Sequence, residues 1–384
     1  MKKRLLYTAF DVVPAPKGAS VRIQKMLEAL GQEFDVLALV LGEPGMPDEE
    51  SWGTVRVRRL IAPESHFLEK TVQFAEWVLQ TALEWQPEWI QFRSLWDGFV
   101  LSEFRRQNPV KWQLIYEVHG LPEIELEHHF PELPESLGFK IQAQQQQVLE
   151  SADWFICPSQ VHRKWLLSKG ICYQKMGVIG NGADPELFLP HWQEWPEVPY
   201  LIYLGTLAPW QGLEELLAAL QKVKPPFRLR LVGKGNPRWQ QNLLARVYQL
   251  GLTHAVELLD PLAHAYMPAL LESAQIALAP LIETERNCVQ GCNPIKIYEY
   301  MAAGKAIIAP DLPAVQEILE HQKTAWLYPA GDQAALTAAI ETLLKDPLLS
   351  RRLGQAARDD VVKSFNWAQR QNQLLSYFRK VISV

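Results

Sequence analysis

The chain has 384 residues, 48% hydrophobic and 21% charged, which is long enough for two hydrophobic cores of ordinary size rather than one. Its net charge of -5 leaves no overall basic footprint, so nucleic acid is not an expected partner. Four cysteines in so long a chain do not make a disulfide framework and fit a reducing, cytoplasmic compartment.

In chain order, Met1-Lys-Lys-Arg4 opens on a basic cluster, but Asp11 interrupts the apolar run too early for a secretory signal. Leu5–Phe10 reads instead as a first buried strand. Strand-like runs follow at Phe34–Val40, Val55–Leu60, Trp89–Phe92, Gln113–Val118, Trp154–Cys157 and Met176–Ile179, with helical periodicity between them at Ser20–Leu30, Leu68–Glu84, Gly98–Arg106, Phe139–Glu150 and Gln160–Ser168. Such alternation is the pattern of a doubly wound parallel sheet. Within Leu68–Glu84 the apolar residues Leu68, Val72, Phe74, Trp77, Val78 and Leu79 predict core packing, with peripheral contact at the inner face of a membrane as the alternative. Glutamines 144 to 147 read as a solvated helix face. Pro190, Pro196 and Pro199 then punctuate a stretch expected to be an extended linker.

A second alternating series follows. Strands are predicted at Tyr200–Tyr203, Arg228–Val232, Val256–Leu259, Ile276–Ala279, Ala306–Ile308 and Ala325–Tyr328. Helices are predicted at Leu213–Lys222, Trp239–Leu250, Met267–Ser273, Ile295–Ala303, Ala314–Glu320, Gln333–Lys345 and Leu348–Lys363, with a last one from Trp367 to Val384. Two α/β halves of this kind place ligands at the carboxyl ends of their strands.

Candidate functional residues cluster at such ends. Lys17-Gly-Ala-Ser20 joins the first strand to the first helix, where Gly18 permits close backbone approach and Ser20 can cap the helix. Arg22 can project from that helix toward a ligand. Arg93 and His119 close two further strands, His119 beside the permissive Gly120. Asn181-Gly-Ala-Asp184 reads as turn chemistry. Gly205 follows a strand and Gly212 opens a helix with leucines at 213, 216, 217 and 220 on one face. Gly233-Lys-Gly235 lacks the third glycine of a dinucleotide fingerprint. Cys288 and Cys292, with no second pair nearby, read as ordinary thiols rather than metal ligands.

The run from Asn293 to Pro310 carries the most information. Asn293-Pro294 can start a helix at Ile295, Gly304 can end it in the left-handed conformation, and Ala306–Ala309 forms a buried strand. Lys296 and Glu299, three apart, share one face near the helix entrance, where free amides favour anions. A cation, a carboxylate and unpaired amides suit a diphosphate carrying a polyhydroxyl group.

This segment, Pro294-x-Lys-x-x-Glu-x-Met-Ala-x-Gly304, resembles the nucleotide-binding signature of the retaining group-one (family four) glycosyltransferases, and the likeness extends from Gly18 to Phe365-Asn-Trp367. It implies a GT-B fold: two Rossmann-like domains with parallel sheets facing a central cleft. Residues 1–190 would form the acceptor-side domain, 191–366 the nucleotide-sugar domain, and 367–384 a helix crossing back. The expected reaction moves a sugar from a nucleotide-diphosphate sugar to a sugar, lipid-linked or small-molecule acceptor, with retention and with no metal or other cofactor, in polysaccharide, glycolipid or glycoconjugate synthesis. By the same resemblance His119 and Lys296 are catalytic, Gly18, Ala19, Ser20, Gly205, Thr206, Gln211, Asn293, Pro294, Ile295 and Glu299 hold the donor, and Arg22 and Arg93 bind substrate. Three departures stand out. Thr206 and Gln211 occupy positions where many relatives carry Arg and Lys, and Gly291 falls where the first of two glutamates is usual. The alternative reading is a catalytically silent GT-B protein that binds a nucleotide sugar or a protein partner. An isomerase or phosphorylase on a similar scaffold is a second rival.

Overall fold

The computed structural model describes residues 2–129, 134–191 and 194–383. They divide into two units, the first made of residues up to Ala15, Ala19–Gly180 and Gln371 onward, the second of Pro16–Gly18 and Asn181–Arg370.

The first unit is built on eight strands: β1 (Arg4–Val12), β2 (Asp35–Leu41), β3 (Glu49–Trp52), β4 (Val55–Leu60), β5 (Trp89–Phe92), β6 (Gln113–Glu117), β7 (Trp154–Cys157) and β8 (Met176–Val178). Their order is β3-β4-β2-β1-β5-β6-β7-β8, and every pairing is parallel except the antiparallel β3–β4 edge. Leu5, Leu6 and Tyr7 are consecutive and all fully buried, because helices cover both faces of a parallel sheet. Those helices are α1 (Gly18–Glu33), α2 (Phe67–Trp85), α3 (Leu95–Gln107), α4 (Pro122–His129), α5 (Glu135–Ser151) and α6 (Gln160–Ser168).

Four expectations change here. The polar edge strand β3 and helix α4 are additions. Ser20 does not cap α1, which begins two residues earlier; it is buried, and its hydroxyl accepts a hydrogen bond from the Ala15 amide at 2.9 Å. Gln145 is buried, so the glutamine run is not wholly solvated. Helix α2 buries Phe74 and Val78 but leaves Leu68 and Val72 exposed near its start. Among the described residues no helix is long and apolar enough to cross a membrane.

Asp97, in the first turn of α3, is fully buried and accepts a hydrogen bond from the Thr8 hydroxyl in the middle of β1. Burial pushes its carboxyl up to about 6, against the pull of its hydrogen bonds. A raised carboxylate pKa contributes stability that is complete below the unfolded value and lost as pH rises through the folded one. Asp97→Asn keeps the acceptor for Thr8 and removes that loss. The variant is expected to be more stable near pH 7 by on the order of 2 kcal/mol and to show a flatter pH dependence between pH 4 and 7. Urea midpoints across that range check this; parallel wild-type and variant curves would refute it.

The second unit carries β9 (Tyr200–Leu204), β10 (Arg228–Val232), β11 (Val256–Leu259), β12 (Ile276–Leu278), β13 (Ala306–Pro310) and β14 (Trp326–Tyr328), all parallel in the order β11-β10-β9-β12-β13-β14. Around them lie α7 (Leu213–Leu220), α8 (Pro237–Gln249), α9 (Met267–Glu272), α10 (Ile295–Ala302), α11 (Pro313–Gln316), α12 (Gln333–Lys345) and α13 (Pro347–Asp360). The final helix, α14 (Trp367–Ile382), starts in this unit and belongs to the first from Gln371.

The division after Gly180 comes ten residues before the expected boundary at 190. The cause is backbone capture. Arg358 donates to the Phe188 carbonyl at 2.7 Å and the Pro185 carbonyl at 3.0 Å, while Ala183 bridges to Asn366. Segment 181–190 is thereby fastened to the second unit. Asp184 accepts from the amides of Glu186 and Leu187, the turn chemistry expected of it.

Candidate functional site

The second unit's candidates gather at the carboxyl end of β9. Gly205 there has φ 136°, a conformation open to glycine, and a Cβ added to it would lie 2.8 Å from the Lys296 Nζ. The missing side chain makes room for the ammonium. Lys296 Nζ donates to Gln211 Oε1 at 2.8 Å and sits 3.9 Å from the centroid of the Tyr203 ring, a cation–π contact. Tyr203 is itself fixed, its hydroxyl donating to the Thr206 carbonyl at 2.6 Å. Thr206 is exposed.

Gln211 is held by close backbone packing. Gly212 has φ 69°, and a Cβ there would stand 1.9 Å from the Pro280 carbonyl oxygen, so the turn presses on the end of β12. Across β9, a Cβ at Gly233 would meet the Gly205 carbonyl at 1.8 Å. The Gly233-Lys-Gly235 stretch is therefore a steric accommodation of the neighbouring loop, consistent with its failure as a dinucleotide fingerprint.

Burial lowers the Lys296 pKa to about 7, with Arg286 pushing the same way and Cys292 and Glu299 opposing. Burial also pushes the Cys292 thiol up to about 11. Cys288 and Cys292 are both free thiols. No group of three or more metal-ligating side chains occurs among the described residues.

Helix α10 supplies the rest. Pro294 is its N-cap in extended conformation, and Gly304 follows its end at φ 64°, as the residue types predict. Ile295 is buried. Asn293 is occupied by structure: its side-chain oxygen accepts from the Asn181 amide at 2.6 Å, and its side-chain nitrogen donates to the Tyr298 hydroxyl at 3.0 Å. Glu299 is nearly buried, and its Oε1 accepts from His264 Nε2 at 2.7 Å. Sequence reasoning missed His264. It lies in a short 3-10 turn (His264–Tyr266) after β11, and nothing in its local pattern points to a partner 35 positions away.

Gly18, the last residue of the short Pro16–Gly18 piece of the second unit, marks the start of α1, and Ala19 begins the first unit's part of that helix. Arg22 presents no surface to a ligand. It is fully buried, with Nε donating to Glu117 Oε1 at 2.7 Å and Nη1 to the Gly180 carbonyl at 3.2 Å. The sequence suggested that it could project toward a ligand; in this structure it faces Glu117. Arg93 is likewise buried, 3.7 Å from the same carboxylate and 3.4 Å from Asp11. Both arginines are thus held by one buried acid at the carboxyl end of β6. His119 stands two residues beyond β6 and is half-buried.

Two family descriptions match the chain: Glycosyltransferase Family 4 over residues 16–187 and glycosyl transferases group 1 over residues 198–346. A putative colanic acid biosynthesis glycosyltransferase of Salmonella typhimurium is 25% identical over 241 residues, 62% of this chain and 59% of that relative. The chain therefore spans less than two thirds of that curated relative's length. Among solved structures, the sucrose-phosphate synthase of Thermosynechococcus elongatus superposes with a TM-score of 0.83 at 21% identity, covering 100% of both chains. An Anabaena protein, HepE, crystallised with UDP-glucose, superposes with a TM-score of 0.76 at 18% identity, covering 98% of this chain and 99% of its own. With one glycosyltransferase description matching each half of the sequence and neighbours aligned over its whole length, the fold is GT-B and the chain resembles the group-1 glycosyltransferases in both halves.

Proposed function

We propose that the protein transfers a glycosyl group from a nucleoside diphosphate sugar to a hydroxyl acceptor with retention of configuration, in the synthesis of a polysaccharide, glycolipid or glycoconjugate. The observation that carries this is the Lys296 ammonium, held by Gln211 and the Tyr203 ring above Gly205, on the same short helix as the carboxylate of Glu299. A diphosphate against Lys296 and a ribose diol against Glu299 would use both ends of that helix face. The Anabaena neighbour's complex with UDP-glucose supports a uridine diphosphate sugar as the first donor to test.

In this reading the bond between the anomeric carbon and the diphosphate oxygen breaks, and the acceptor oxygen bonds to the same face. The departing diphosphate takes up the acceptor proton. Lys296 and the amides of the adjoining turns stabilise the charge developing on the leaving group, His119 positions the sugar, and no metal participates. Thr206 and Gln211 lack the charge usual at their positions, and Lys296, with Arg286 close enough to act on it, supplies positive charge here.

The experiment is a thermal-shift series with UDP, UDP-glucose and the corresponding adenosine and guanosine compounds, followed by transfer assays with EDTA and anomeric assignment of the product by NMR. Binding stabilises the fold by mass action. A melting rise with a nucleotide sugar, and an α-product from an α-donor in EDTA, is expected. Binding without transfer to any acceptor would favour the silent-protein reading, and an inverted product would overturn retention.

A further inference from the structure

We infer that His264 is a positioning residue that selects ribose over deoxyribose in the donor by holding the Glu299 carboxylate in a single orientation. The inference rests on the proposed ribose contact of Glu299 and goes beyond it.

A glutamate side chain has three rotatable torsions, so an unsupported carboxylate would have to be ordered by each incoming ligand. Glu299 is ordered beforehand. His264 Nε2 donates to Oε1 at 2.7 Å, and Oε2 has no hydrogen-bond partner among the described residues. A carboxylate offers about four lone-pair sites on its two oxygens, so one donor on Oε1 leaves room for a vicinal diol.

The histidine is supported in turn. Its ring packs edge-on to Phe188, with centroids 5.6 Å apart and planes at 69°. Phe188 is buried, and its carbonyl accepts from Arg358 Nη1 at 2.7 Å. Glu299 is the more buried of the pair, at 8% side-chain exposure against 31% for His264. The imidazole thus stands toward solvent as a brace on a recessed acid. A brace that fixes one oxygen should matter most to a ligand that needs both.

The readout is the ratio of affinities for UDP and 2′-deoxy-UDP, measured by calorimetry on the full chain, with the ADP and GDP pairs run identically. A site built to bond a hydroxyl rejects the analogue lacking it, because its polar groups are left unpaired. Wild type is expected to prefer the ribonucleotide by about 10- to 100-fold, the range of one hydrogen bond to a charged group. His264→Ala should bring the ratio below about threefold, and His264→Gln, which restores a side-chain N–H, should recover part of it. Glu299→Ala should abolish the preference whichever residue stands at 264. Loss of the preference in Glu299→Ala with full retention in both His264 variants would overturn the positioning role and leave the ribose contact standing. Full retention in Glu299→Ala would overturn both. Equal weakening of both nucleotides in the His264 variants would reduce the histidine to a tether for its own loop and refute the inference. If His264→Ala does not fold, His264→Gln alone decides, since an unchanged ratio at weakened affinity for both nucleotides is the refuting result.

Discussion

Glu117→Gln is expected to cost the first unit about 3–5 kcal/mol, the usual loss when one partner of a buried ion pair is removed. Glu117 is 1% exposed and accepts from Arg22 Nε at 2.7 Å, Gln91 Nε2 at 2.7 Å and the Tyr7 hydroxyl at 3.1 Å. Burial alone would raise its pKa, but the Arg22 and Arg93 guanidiniums outweigh burial and hold it below the ordinary carboxylate value. Glutamine keeps the shape and an acceptor but deletes the charge. Two buried cations then lose the carboxylate they share, while Asp11, partly exposed, lies 3.4 Å from Arg93. The expected result is a urea transition of the first unit at much lower denaturant, with partial recovery on adding Arg22→Met. The same chemistry sets a pH dependence: a depressed carboxylate contributes stability that is present above its unfolded pKa and lost as pH falls through the folded value. Wild type should therefore lose more stability below pH 4 than the variant does. A glutamine variant within 1 kcal/mol of wild type would show that burial of these charges is not coupled to the fold.

The arginines also show where sequence reading stops. Arg22 lies among the buried residues of its helix with Val21, Met26 and Leu27, and a charge in such a place reads as a ligand contact because nothing local offers it a partner. Its partner is 95 positions away. Lys296 and Gln211 are separated by 85 positions and Glu299 and His264 by 35, so these pairs exist only once parallel strands bring their carboxyl ends together. What was legible was local. Gly304 ended a helix because only a left-handed residue could, and Gly205 and Gly212 marked turns because no side chain fits there. The alternation of apolar runs with helical periods sufficed for two parallel α/β sheets, since a strand buried on both faces carries its own signature. Strand β3, with Glu49 and Glu50 at a sheet edge, has no such signature. Prolines 190, 196 and 199 mark an extended chain in the sequence, whereas the grip of Arg358 on carbonyls 185 and 188 leaves no trace in composition.

Lys296→Met is expected to weaken nucleotide-sugar binding by roughly 5- to 150-fold at pH 6, the 1–3 kcal/mol of a charge-assisted contact, and by much less at pH 8.5. The difference follows from the lysine's position. Burial lowers its pKa to about 7, so in the free protein it is largely charged at pH 6 and largely neutral at pH 8.5. A diphosphate placed beside it favours the charged form and raises the pKa. Binding must then take up a proton, with an uptake that is small at pH 6 and approaches one per site at pH 8. Above pH 7 the affinity should fall by up to about tenfold per pH unit, the limit for a single linked proton. The donor's diphosphate is esterified at both ends and has no proton to exchange in this range, so the sugar nucleotide is a cleaner reporter than the free diphosphate. Calorimetry in phosphate and in Tris, whose ionisation enthalpies differ, reads the uptake directly. Proton uptake that disappears in Lys296→Met places the ammonium against the diphosphate. A pH-independent affinity with no uptake would mean that Lys296 serves Gln211 and Tyr203 alone, and the donor's charge would have to be met elsewhere.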